Sequence, residues 1–341
     1  MRILLVNHEF TITGASTVLF RLALHLQGQA HEVSVLPANP QDGPMKARYE
    51  AQGIPVSNTA DLHQFDLAIC NGICTAGLVL RVAPVLPTIW FVHEAEIALN
   101  LILKNPDWIR GFALSRAVVY QTSYQHEVLG SFTFNQDRTK FHIIPNGIEV
   151  ALECLARDKV APKRHAFRAV QAGTMEPRKR PGDFIRAVKA SGLDMEAVLC
   201  GKYFHIDDDA LEIIKADPEK YRVLEGLSDA ELLAWVESAD MYCQASGSET
   251  QGIAAYEAAL LSRPMLLSDL PCYRGVFRHG HNCLMYPPGS IRLLAHAMRV
   301  LASDPELRTT LGQAARVSAG RFTHARFFHG FDAVIGSVVQ A

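Results

Sequence analysis

No stretch of this sequence reaches the roughly 18 uninterrupted apolar residues that a membrane-spanning helix requires. The opening apolar run, Ile3–Val6, gives way at once to His8 and Glu9 and is too short for a signal-peptide core. The most apolar stretch, from Ile97 to Leu114, is interrupted by Lys104, Asn105, Pro106, Asp107 and Arg110, so a buried or partly exposed helix is expected there. The seven cysteines are an odd number and form no CxxC pair, which argues against a disulfide framework and for reduced, mostly buried thiols in a cytoplasmic protein. His279 and His281 have no second ligand cluster beside them, so no metal site is expected. A formal charge of −2 excludes a global field that recruits nucleic acid. The first 150 residues are no more basic than the rest, and charge lends no support to peripheral membrane contact. GxGxxG is missing from the first βα loop, Asn7 to Ser16, which argues against a nicotinamide oxidoreductase. No internal repeat or low-complexity segment is present.

What is present is alternation. With 341 residues the chain is long enough for two domains at roughly 100–200 residues each. Short β-prone runs at Ile3–Val6, Glu32–Leu36, Asp66–Cys70, Thr88–Val92, Ala117–Gln121 and Phe141–Ile144 are separated in several places by helical spacing, as in Val18, Leu19, Leu22, Ala23 and Leu26. Pro145-Asn146-Gly147 closes this series with turn chemistry. Glu153 to Arg168 is polar and basic without apolar period and reads as the interdomain connection. A second series then runs through Ala169–Gly173, Ala197–Cys200, Tyr221–Leu224, Met241–Gln244 and Pro264–Ser268. Helices are expected at Gly182–Ala190, Asp229–Ser238, Gly252–Leu261 and Ser290–Ala302. At the end, Phe327, Phe328, Phe331, Val334, Ile335 and Val338 share one helical face. This pattern predicts an α/β chain of two Rossmann-like, doubly wound domains: 1–152, 153–322, and a C-terminal helix, 323–341, that crosses back to the first domain. Ligands in such folds bind outside the strand carboxyl ends, so a cleft between the domains is the expected site.

Three segments carry candidate chemistry. Gly14 precedes a helix, where backbone N–H groups and the helix dipole favour an anion. Arg178-Lys179-Arg180 lies between a strand and a helix, positioned either to neutralise a diphosphate or simply to be solvated. Ser246 to Ala258 holds two glutamates flanking seven residues: Glu249 in a Gly/Ser-rich loop, Glu257 inside the following helix, and Gly252 at that helix's start. Acceptors for sugar hydroxyls and an anion-binding helix terminus in one loop-plus-helix suit a sugar–diphosphate–ribose ligand. The competing reading is two unrelated glutamates, one solvated and one in an ion pair. Asp207-Asp208-Asp209 contains DxD, but lies away from these segments and reads as capping and first-turn charge.

Glu249…Glu257 in this setting resembles the E-x7-E element of family-4 retaining glycosyltransferases with the GT-B fold. The similarity continues through Ile144-Pro145-Asn146-Gly147-Ile148-Glu149, Gly173…Lys179, Val198-Leu199-Cys200-Gly201, Leu224-Glu225-Gly226, Arg263-Pro264 and Gly280-His281-Asn282, covering residues 140–320 almost continuously. The first half matches through its first strand, Gly14, Glu32-Val33 and His93-Glu94.

The resemblance implies a metal-independent, hexosyltransferase-type enzyme of cell-surface polysaccharide or glycoconjugate synthesis. No cofactor is expected. The donor would be a nucleotide-sugar, UDP-sugar ahead of GDP-sugar, and the acceptor a saccharide or lipid-linked saccharide. Lys179 would bind the donor phosphates, and Arg178 would supply the charge lost where Thr174 replaces the family's usual arginine. Glu257 would take the ribose hydroxyls, Glu249 the hydroxyls of the transferred sugar, and His93 would lie near the reacting sugar. Backbone N–H groups around Gln251, Gly252 and Ile253, and at Gly14, would hold the diphosphate. Thr13-Gly14 and Glu149 depart mildly from the family's Gly-Gly pair and Asp. The alternatives are an epimerase or hydrolase acting on nucleotide-sugars, or a sugar-nucleotide-binding protein without catalysis.

Overall fold

The computed structural model describes every residue except Phe134 and Ala341. The chain divides into two compact units, Met1–Gly147 with His324–Ala341, and Ile148–Thr323.

The first unit is built on a parallel sheet of β1 (Arg2–Asn7), β2 (Glu32–Pro37), β3 (Leu67–Asn71), β4 (Thr88–Phe91), β5 (Ala117–Tyr120) and β6 (Phe141–Ile143), in the order β2-β1-β3-β4-β5-β6. β3, β4 and β5 are buried along their whole length, which is why their sequences run apolar without alternation. Helix Gly14–Gly28 presents Val18, Leu19, Leu22, Ala23 and Leu26 to the sheet, and Thr13 caps it by accepting from the Ser16 N–H. The stretch from Ile97 to Leu114 is not one helix. Helix Glu96–Lys104 stops at Asn105, a turn covers Pro106–Trp108, and helix Ile109–Leu114 follows. The residue before a proline avoids helical geometry, and Asn105 adopts φ −136° and ψ 72°.

Helix His324–Gln340 belongs to this unit and buries Phe327, Phe331, Val334, Ile335 and Val338. Phe331 meets Phe91 of β4 edge-on at 4.9 Å, and Phe328 stacks on His25 at 4.2 Å between ring centres. His25 Nε2 lies 3.0 Å from Asp332. Gly147 lets the helix start close by: a Cβ there would fall 2.6 Å from the His324 Cα. The turn glycine of Pro145-Asn146-Gly147 is therefore also a packing glycine.

The second unit has its own parallel sheet, with β7 (Phe167–Ala172), β8 (Met195–Cys200), β9 (Tyr221–Leu224), β10 (Met241–Gln244), β11 (Met265–Ser268) and β12 (Leu284–Tyr286) ordered β12-β11-β10-β7-β8-β9. β12 was not foreseen from the sequence, since three residues are too few to show a period.

Glu153 to Arg168 is not a free connection. It lies within this unit, and its last two residues open β7. Arg168 is buried and pairs with Glu196 at 2.8 Å, and Arg222 holds the second oxygen of Glu196 at 3.0 Å. Arg168 also donates to the Ser238 hydroxyl and the Ala161 carbonyl, and its guanidinium lies 4.7 Å over the Trp235 ring. A buried charge needs this many partners, and supplying them ties the polar stretch down. Asp207 caps helix Asp208–Ala216 by position, but its side chain makes no capping bond; Arg186 takes it at 2.7 Å.

Candidate active site

β7 and β10 lie side by side at the centre of the second sheet, so the loops that leave their carboxyl ends meet. The loop after β7 passes Gly173 and forms a tight turn at Pro177–Lys179, ahead of helix Pro181–Ser191. The loop after β10 carries Ser246 and Glu249, then enters helix Ile253–Leu260. The Gly247 N–H donates to the Arg178 carbonyl, which fixes the two loops against each other, and Gln171 of β7 donates to the Lys179 carbonyl, which holds the first loop to its own strand.

Glu249 is the hub of this junction. Its Oε1 accepts from Lys179 Nζ at 2.5 Å, Gln244 Nε2 at 2.7 Å and the Ser246 hydroxyl at 2.7 Å. Its Oε2 lies 3.3 Å from the Arg178 guanidinium, which also donates to the Ser248 carbonyl and to Glu176. Gln244 is itself oriented, because its amide oxygen accepts from Tyr242. Glu249 is only 6% exposed. Burial pushes its carboxyl up, but the charges of Lys179 and Arg178, with hydrogen bonds from Lys179 and Ser246, outweigh this and hold it below the ordinary value of 4.5. The loop glutamate is thus neither solvated nor unattached. An ammonium has three donors and Lys179 uses one on Glu249, so two remain. Arg180 departs from the group and pairs with Asp183 at 3.2 Å.

Gly252 starts helix Ile253–Leu260 in the left-handed region, with φ +77°. A Cβ there would fall 2.6 Å from the Tyr273 hydroxyl, so both backbone and space demand glycine. The Tyr273 hydroxyl is buried and has no hydrogen-bond partner among the described residues. Gln251 is buried, Ile253 half-buried, and Glu257, also half-buried, lies one turn further along the helix. Glu257 is close enough to Tyr242 for its charge to help raise that buried phenol.

In the first unit, buried amides stand at the ends of neighbouring strands: Asn7 on β1, Asn71 on β3 and Gln121 just past β5. His93 follows β4 and sits between them. Its Nε2 lies 2.6 Å from Asn71 Oδ1, and its Nδ1 faces Gln121 Nε2. The amide orientation of Asn71 is decided independently, because its Nδ2 donates to the Ala15 carbonyl, which can only accept. Oδ1 therefore faces His93, and the imidazole is the neutral Nε2–H tautomer. Burial, then the nearby His8, pushes its pKa down to about 3. Both ring nitrogens are engaged, so the imidazole is a fixed wall rather than a titrating base. Glu94 accepts from the Ile73 and His93 N–H groups, and burial raises its carboxyl. Gly14 opens its helix, but Thr13 takes the Ser16 N–H, and a Cβ at Gly14 would meet open space.

The sequence singled out Lys179, Arg178 and Glu249, and these converge. It also singled out Gln251, Gly252, Ile253 and Glu257, which follow on the same loop and helix. Asn71, Gln121, Gln244, Ser246 and Tyr273 were missed. The signal was there in part: Asn7, Asn71 and Gln244 each end an apolar strand with a side chain that needs a partner.

Residues 156–318 match the model of the glycosyl transferases group 1 family. They carry a glycosyl transferases group 1 domain. Over 270 residues the chain is 24% identical to a D-inositol 3-phosphate glycosyltransferase of Pseudarthrobacter chlorophenolicus, covering 72% of this chain and 63% of that protein. Over 105 residues it is 33% identical to a phosphatidyl-myo-inositol mannosyltransferase of Mycobacterium leprae, covering 30% of this chain and 28% of the relative. The chain thus spans under two thirds of the length of these relatives. Among solved structures, HepE of Anabaena in complex with UDP-glucose superposes with a TM-score of 0.82 at 16% identity, over 99% of this chain and 100% of that one. The two-sheet architecture is the GT-B fold. No helix among the described residues is long and apolar enough to cross a membrane.

Proposed function

We propose that the group 1 domain binds a nucleoside-diphosphate sugar and that the chain transfers the sugar to an acceptor hydroxyl with retention of anomeric configuration and without a metal ion. The observation that carries this reading is the buried Glu249, which holds Lys179 and Arg178 beside the loop that enters helix Ile253–Leu260. A nucleoside diphosphate leaves with negative charge, and pre-aligned cations with helix-terminal N–H groups stabilise that charge as it develops. Lys179 has two N–H groups for the donor phosphates. Glu257, one turn inside the helix, is assigned the ribose. Glu249 both holds the cations and offers its remaining oxygen edge to the sugar. The acceptor proton passes to a phosphate oxygen of the leaving diphosphate as the glycosidic bond forms, so no side chain acts as a nucleophile. HepE, whose structures include complexes with UDP-glucose and with UDP and glucose, supports a uridine donor ahead of a guanosine one. A saccharide or lipid-linked saccharide is the proposed acceptor, in polysaccharide or glycoconjugate synthesis.

The test is release of nucleoside diphosphate from UDP- and GDP-sugars, with and without saccharide acceptors, in excess EDTA. The expected result is acceptor-dependent release that survives chelation. Release that needs no acceptor would make this a hydrolase. Nucleotide binding without turnover on any donor would leave a binding protein. Activity abolished by EDTA and restored by Mg²⁺ would overturn the metal-free reading.

A further inference from the structure

The first unit holds a pocket of about 540 Å³, the size of a small-molecule site, and none of its lining residues belongs to the Lys179–Glu249 group. It exists because of where the chain goes after β2. Helix Pro44–Ala51 packs Tyr49 against Phe10 and Phe20, beside helix Gly14–Gly28. Leu36 of β2 belongs to a different core, with Leu4, Val6, Val79 and Val82. Over that face the chain lays the short loop from Asn58 to Leu62. The pocket is the space between this loop, the end of β2 and helix Ala76–Val82. Its rim is tied to the loop that leaves β1: the Ala38 N–H donates to the Asn7 carbonyl at 2.7 Å and the Asn39 N–H to the His8 carbonyl at 3.0 Å.

The lining has two chemical parts. Leu36, Pro37, Leu62, Leu78 and Val82 make an aliphatic wall, and no aromatic ring lines the pocket among the described residues. Without a ring to stack on, the wall suits a flexible hydrocarbon chain better than a flat heterocycle. Arg81 is the one charged side chain of the lining among the described residues. Helical spacing puts Leu78, Arg81 and Val82 on one face, so the cation stands beside the wall. Arg81 is exposed and has no hydrogen-bond or carboxylate partner among the described residues. The side chains of Asn58 and Thr59, which also line the pocket, have no hydrogen-bond partner there either.

We propose that this pocket binds a small amphipathic anion, with an alkyl chain along the aliphatic wall and a phosphate or carboxylate head on Arg81. The guanidinium fork meets two oxygens of such a head, and the Asn58 amide and Thr59 hydroxyl supply further donors. A neutral chain leaves Arg81 unanswered, and a bare anion leaves the wall wet. Only a ligand with both parts satisfies both. The pocket opens at the carboxyl end of β2, the end of the sheet at which Asn7 and Asn71 also lie.

The experiment titrates the full chain calorimetrically with four probes, each below its micelle-forming concentration: octyl phosphate, octanoate, octyl glucoside and inorganic phosphate. Four proteins are compared: wild type, Arg81→Glu, the conservative Arg81→Lys, and Lys179→Ala. Arg81 is exposed, so its variants should melt as wild type does. At least one of the two octyl anions should bind, and should do so about tenfold or more tighter than both octyl glucoside and inorganic phosphate. Arg81→Glu should remove that advantage, Arg81→Lys should keep most of it, and Lys179→Ala should leave it intact. Tighter binding of octyl phosphate assigns a phosphate head, and tighter binding of octanoate a carboxylate. The proposal is overturned if neither anion binds, or if octyl glucoside or inorganic phosphate binds as well as the octyl anions. It is equally overturned if charge reversal at Arg81 changes nothing, or if Lys179→Ala abolishes the binding. The outcome does not depend on whether the group 1 domain transfers a sugar.

Discussion

The ammonium of Lys179 lies 2.5 Å from Oε1 of Glu249, 70 residues further along the chain, and the carboxylate it meets is almost wholly buried. One carboxylate therefore sets the position of two cations, since Arg178 shares it. Replacing Lys179 with alanine should lower kcat/KM by about 2–4 kcal/mol of transition-state stabilisation. The Gln244 and Ser246 bonds to Glu249 keep the loop in place, so the fold should persist. Turnover measured beside a thermal melt checks both, and near-normal turnover would remove Lys179 from the leaving-group site.

Glu249→Gln should weaken nucleoside-diphosphate binding as well as turnover. The amide removes the charge that opposes Lys179 and Arg178 and turns an N–H toward donors. The pH dependence follows from the carboxyl's lowered value. In the unfolded chain the group protonates near 4.5, and in the folded protein it does so at lower pH. Its contribution to stability is present above about 4.5 and is lost as pH falls through the folded value. Wild-type melting temperature should therefore drop more steeply below pH 4.5 than that of Glu249→Gln. Parallel curves would contradict the assigned ion pair.

His93 should remain a neutral Nε2–H imidazole from pH 8 down to pH 5, because its value is pushed from 6.5 to about 3. Nitrogen NMR of the labelled ring reads the tautomer directly. Since the unfolded chain binds that proton first, the contribution of His93 to stability is full above 6.5 and declines as pH falls toward 3. Asn71→Asp should raise the value by placing a negative charge at the Nε2–H. A ring that titrates near 6.5 in the wild type would refute the hydrogen-bond assignment.

Glu196→Ala should cost about 3–5 kcal/mol of unfolding free energy, because it leaves Arg168 buried without its counter-charge. Urea denaturation monitored through Trp235, which stacks on Arg168, measures this. A loss below about 1 kcal/mol would mean that the arginine finds water or another partner.

Gly252→Ala should reduce both stability and nucleotide binding. The backbone at φ +77° strains any side chain, and the Tyr273 hydroxyl occupies the space a Cβ needs. Tyr273→Phe combined with Gly252→Ala removes the hydroxyl but leaves the ring edge, 2.9 Å from the added Cβ, and the backbone strain, so the double variant should recover only part of the melting temperature. Full recovery would show that strain at Gly252 contributes little.

The sequence by itself determined the alternation of buried strands and amphipathic helices, because continuous apolar runs and a 3.6-residue period are local properties. It also placed Glu249 in a loop and Glu257 one helix turn inside, because eight positions on one loop-plus-helix leave few geometries. What it left undecided depended on distance between residues far apart in the chain. Whether Glu249 and Glu257 served one ligand, or were unrelated with one solvated and one in an ion pair, was open in the sequence; the adjacency of β7 and β10 brings Arg178 and Lys179 to Glu249. The polar stretch before β7 looked like a free connection because nothing local reveals that Arg168 has Glu196 waiting on the adjacent strand. The amides that flank His93 end three separate strands, and only the order β1-β3-β4-β5 gathers them. Periodicity is encoded within a few residues, whereas the partner of a buried charge or amide is selected by sheet order, and that order is a property of the whole folded chain.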